Sequence, residues 1–75
     1  MTKEQIGIAV KNKRLSLNLS QLSLAKKAKV RRQTIIDIEN ASLNYSVDKL
    51  IAVQNVLNLF IMNTETDLFI FKKDM

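Results

Sequence analysis

The stretch SLAKKAKVRRQTIIDIEN, residues 23–40, decides how this chain folds. It crowds Lys26, Lys27, Lys29, Arg31 and Arg32 together and then turns abruptly apolar and acidic. Ser20 is a good helix cap, and Leu22, Ala25 and Ala28 recur at spacings of three, which predicts a short helix from Gln21 to Ala28. After a tight connection at Lys29 and Val30, a further helix is expected from Arg31 to Glu39, burying Ile35 and Ile38.

The flanks extend the pattern. Thr2 and Gln5 have the spacing of a capping box and predict a first helix, with Ile6, Ala9 and Val10 on one face and Leu17 continuing inward near its end. Asn18 marks a turn. Residues 40–45 form a polar loop in which Tyr45 reads as an anchor. A fourth helix is expected from about Ser46, carrying Val47, Leu50, Ile51, Val53, Val56 and Leu57. Beyond it, LFIM (59–62) and LFIF (68–71) are apolar runs separated by NTETD, the pattern of two short strands or one strand with a free end. An edge that apolar calls for a partner. The chain thus divides into a helical domain at 1–58 and a β extension at 59–75, in which Leu59, Phe60, Ile61, Met62, Phe69 and Phe71 are candidates for dimer or partner contact.

Composition narrows the function. With 75 residues the domain is small enough that a second copy or a partner would help it bury a core. The chain is 47% hydrophobic and 25% charged, the balance of a folded domain. It has no Cys and no His, which removes the usual members of zinc sites and of most catalytic constellations. No enzyme activity and no cofactor are expected. The N-terminal stretch lacks the apolar run of a signal peptide, and no segment is long and apolar enough to span a membrane, so a cytoplasmic location is expected.

Charge is distributed unevenly along the chain. From Gln5 to Ile36 there is no acid, while Lys11, Lys13, Arg14, Lys26, Lys27, Lys29, Arg31 and Arg32 give that half a net +8. From Gln33 to Phe71, five acids face Lys49 alone. A solvated cationic face is the plain reading of a single charge run, but an acid-free stretch of this length points to a polyanion, and specifically to nucleic acid. Binding to anionic lipid fits poorly, because the short helices carry no Trp or Phe on an apolar face.

Two short helices joined by a tight turn, the second opening with basic and amide side chains, form the helix-turn-helix arrangement. Its second helix places its N-terminal residues in the DNA major groove while the first crosses the backbone. The residues NKRLSLNLSQLSLAKKAKVRRQTIIDIENAS, continuing through VDKLIAVQNVL, resemble the Cro/cI (lambda-repressor-like) family over roughly residues 4–62. The matching order is Arg in helix 1, L-S-Q opening helix 2, Leu and Ala within it, Val after the turn, and T-I-x-x-I-E-N closing helix 3. The resemblance implies an all-α domain of four to five helices, with the short C-terminal strand or hairpin used in dimerisation.

It further implies a salt bridge between Arg14 and Glu39, a phosphate contact from Gln21, and base reading by Arg32, Gln33 and Ile36. Lys26, Lys27, Lys29, Arg31, Thr34 and Asn40 are expected at the DNA backbone. Arg and Gln suit guanine and adenine respectively, and Ile36 can meet a thymine methyl or the core. Thr34 can equally be structural, and Gln21 can be a plain polar residue of the first turn. The apolar extension makes the chain most similar to HipB-type antitoxins and their stand-alone regulator relatives. By that likeness it would be a homodimeric repressor on a near-palindromic double-stranded operator, with a kinase-like toxin as a further partner. Three positions depart from the family: Lys29 and Ala41 stand where Gly is usual, and Arg31 stands where Ser usually caps helix 3.

Overall fold

The computed structural model describes residues 2–42 and 44–59. The described residues form four helices: α1 (Lys3–Ser16), α2 (Gln21–Ala28), α3 (Arg32–Glu39) and α4 (Val47–Leu57). Among the described residues there is no strand. The expected extension, with Phe60, Ile61, Met62, Phe69 and Phe71, lies outside them. Leu59 is described: its N–H donates to the Gln54 carbonyl, and its side chain packs on the core.

Short-range chemistry sets the helix starts. Thr2 Oγ1 accepts from the Gln5 N–H at 3.1 Å while the Thr2 N–H donates to Gln5 Oε1 at 2.9 Å, a complete capping box. Ser20 and Ser46 cap α2 and α4 by accepting from the N–H groups of Ser23 and Lys49. Arg31 occupies the cap position of α3 and makes no such bond.

All four helices stop in the same way. The chain turns left-handed at Asn18, Lys29, Ala41 and Asn58, none of them Gly. At each turn the next N–H reaches back into the helix: Leu19 to the carbonyl of Arg14, Val30 to Ala25, Ser42 to Asp37 and Leu59 to Gln54. Asn tolerates this conformation, whereas Lys and Ala pay the steric cost of a Cβ near the following carbonyl. The two family departures at Lys29 and Ala41 therefore keep the left-handed turn without the residue that favours it.

The largest fully buried side chains come from all four helices: Ile6, Val10, Leu24, Ile35, Ile38, Leu50, Val53 and Leu57. Two expected core positions differ. Leu17 is 45% exposed, because α1 ends at Ser16 and the turn at Asn18 swings Leu19 inward in its place. Leu22 is 49% exposed, and Leu24 joins Ala25 and Ala28 on the inward stripe. The α2 face that packs against α3 and α4 is rotated from the one that the three-residue spacing suggested. The loop before α4 is anchored by Tyr45, which is buried with Lys3 Nζ 4.8 Å from its ring centroid.

The single glycine sits mid-helix. A Cβ on Gly7 would lie 2.7 Å from the Ile38 carbonyl oxygen and 2.8 Å from that of Glu39, so α1 meets the C-terminal end of α3 at backbone distance. Gly7→Ala should therefore cost about 1–3 kcal/mol despite alanine's better helix propensity, measured by chemical denaturation. Ala41→Gly and Lys29→Gly should each gain about 1 kcal/mol, read as a melting temperature raised by roughly 4–8 °C.

Candidate nucleic-acid interface

Arg14 follows Ile6 and Val10 at spacings of four, so it continues the inward stripe of α1 and carries its guanidinium under the fold. There Nε donates to Glu39 Oε2 at 2.7 Å, Nη2 to Glu39 Oε1 at 3.1 Å, and Nη1 to the Leu19 carbonyl at 2.8 Å. The two side chains are 8% and 4% exposed. Gln21 Nε2 donates to the same Oε1 at 3.3 Å. One carboxylate thus ties the end of α1, the start of α2 and the end of α3, while the guanidinium bound to it also holds the turn after α1. With its paired fork geometry and satisfied donors, this is the arrangement in which a buried ion pair can offset its desolvation.

With its C-terminal end held, α3 presents its other end to solvent. Arg31, Arg32 and Gln33 are exposed, as are Lys26, Lys27 and Lys29 on α2 and the turn. No acidic residue lies in the first turn of α3, and no side chain caps it. Five exposed cations thus run from the last turn of α2 through the connection to the uncapped start of α3, where backbone N–H groups and the dipole add to an anion-attracting field. Asn40, at the far end of α3, is also exposed.

The remaining expected contacts are less exposed. Thr34 is 6% exposed, on the inward side of α3 with Ile35 and Ile38. Ile36 is half-buried. Gln21 is half-buried and engaged with Glu39. Asp37, which no motif reading singled out, accepts from Gln33 Nε2 at 3.0 Å. Its signal was the four-residue spacing of an amide and an acid on one helix face.

Removing either partner of the buried pair leaves an uncompensated charge. Arg14→Ala and Glu39→Ala should each lower stability by about 3–5 kcal/mol. The double variant should lose clearly less than the two losses combined, and additivity in denaturation would contradict the coupling.

A family model described as helix-turn-helix matches residues 10–59, which contain α2, α3, α4 and the Arg14–Glu39 pair. No curated protein and no solved structure matches the chain. The match spans well over half of the sequence and covers the two helices whose exposed ends form the cationic surface, so the chain belongs to the helix-turn-helix family of the Cro/cI-like type, whose members are DNA-binding transcriptional regulators.

Proposed function

We propose that the protein is a sequence-specific repressor that reads double-stranded DNA with α3. One observation carries this: the end of α3 bearing Arg31, Arg32 and Gln33 is exposed among cations, while its other end is clamped through Glu39. Arg32 and Gln33 would contact base edges, with Ile36 against a thymine methyl. Lys26, Lys27, Lys29, Arg31 and Asn40 would meet phosphates, together with a second N–H of the Gln21 amide. Thr34 is read as structural, because its burial leaves it little surface to offer.

Two copies would set two α3 helices into successive major grooves about 34 Å apart on a near-palindromic site. Residues 1–58 would form the DNA-binding unit, and 59–75 would serve dimerisation or partner contact. The apolar runs at 59–62 and 68–71 support a second reading, in which the chain is the antitoxin of a HipBA-like operon that also represses its own gene. Co-purification of a neighbour-encoded protein, lost on deleting residues 64–75, tests that role.

Electrophoretic shifts on the DNA upstream of its own gene, repeated over several salt concentrations, test the repressor reading. Arg32→Ala and Gln33→Ala should each cost about 1–3 kcal/mol on the specific site and relax discrimination. Lys26→Ala and Lys27→Ala should weaken all duplexes alike and reduce the salt slope by about one for each phosphate no longer neutralised. Equal binding to every duplex, unaffected by the first two substitutions, would overturn it.

A further inference from the structure

We propose that Asp37 is a positioning residue for base reading: it holds the Gln33 amide in one of its two flip states and thereby sets which base Gln33 selects. The proposal rests on the reading of α3 as the DNA-contacting helix. Gln33 is exposed in the first turn of α3, and the half-buried Asp37 one turn later accepts from Gln33 Nε2 at 3.0 Å.

A carboxylate can only accept, so only the nitrogen end of the amide can face it. The flipped amide would set the partly negative Oε1 against the carboxylate, two acceptors with no hydrogen between them. The primary amide has two N–H bonds. The one pointing away from Oε1 can be given to Asp37 without disturbing the other, which lies beside Oε1. That remaining N–H and Oε1 form a donor–acceptor edge matching N7 and the N6 amino group of adenine. Tether and base contact therefore use different hydrogens.

The flip matters because it reverses the order of donor and acceptor. A reversed amide brings a donor where the acceptor stood, and that donor suits the oxo group of guanine or thymine rather than the amino group of adenine. By making the reversed state unfavourable, Asp37 favours the amino-bearing base. It does so at a cost in affinity, since an acid among the protein's DNA-facing cations repels the phosphates. Loss of Asp37 should consequently strengthen general binding while weakening discrimination, a pair of changes that a helix-stabilising contact would not produce.

The test uses the full chain and a pool of randomised duplexes. Sites are selected with the unmodified protein, Asp37→Ala, Asp37→Asn, Gln33→Ala and the Gln33→Ala/Asp37→Ala double variant. Affinities are then measured for the enriched site and its single-base changes, with circular dichroism as a check on folding. The unmodified protein should prefer adenine over guanine or thymine at one position per half-site by about tenfold. Asp37→Ala should reduce that ratio to about twofold or less while tightening binding to unrelated duplexes, with no further loss in the double variant relative to Gln33→Ala. Asp37→Asn keeps the shape but can donate to a flipped amide, so it should lose discrimination as well.

A ratio preserved in Asp37→Ala, a uniform change across all duplexes, or losses additive with Gln33→Ala would overturn the proposal and leave the DNA-reading role of α3 standing. Enrichment of no site by the unmodified protein would overturn both.

Discussion

The Glu39 carboxylate is the constraint on which the rest of the molecule depends. It sits at the end of the helix that presents Arg32 and Gln33, and it is held by a guanidinium from α1 and an amide from α2. Three helices thus share one fixed point, so the angle at which α3 projects is set by a buried, hydrogen-bonded pair and not by side-chain packing alone. In a domain this small the apolar core is modest, and a polar fixed point specifies orientation in a way that interchangeable aliphatic contacts do not. The Gly7 crossing reinforces it. Backbone approaches backbone where α1 passes Ile38 and Glu39, which leaves no room for a side chain between α1 and the end of α3.

The turns show a different balance. Each helix ends in a left-handed residue, and the bonds that close these turns recur four times. Lys29 is the informative case. Its left-handed backbone is disfavoured, yet it places an exposed cation in the connection between α2 and α3, next in the chain to Lys26, Lys27, Arg31 and Arg32. Arg31 follows the same logic, because it forgoes a side-chain cap and stands at the positive end of the helix dipole. In both places local stability is lower than Gly or Ser would give, and the surface is more positive.

How much of this could be read from the sequence depended on the range of the interaction. Helix starts at Thr2, Ser20 and Ser46 were legible because a cap is made within three or four residues. Ile35 and Ile38 were legible because only one face of α3 is apolar. Leu17 and Leu22 were misplaced because the inward face of a short helix is chosen by its neighbours. Either Leu22 or Leu24 fits a helical stripe with Ala25, and only the packing against α3 and α4 decides between them. Gly7 carried no turn signal, since its role is a tertiary approach to residues more than thirty positions away. The exposure of Arg31, Arg32 and Gln33 was visible as charge, whereas the burial of Thr34 beside them was not, because its spacing fits either side of α3.

The central claim is that the clamped α3 offers its exposed start, with α2, to DNA. Backbone amide shifts of the isotope-labelled protein, titrated with a duplex from upstream of its own gene, test this most directly. The account predicts that the perturbed amides cluster at Gln21, at residues 26–33, at Ile36 and at Asn40, while those of α4 stay in place. Perturbations centred instead on the outer face of α1 around Ile8 and Leu15, or none at all, would contradict it.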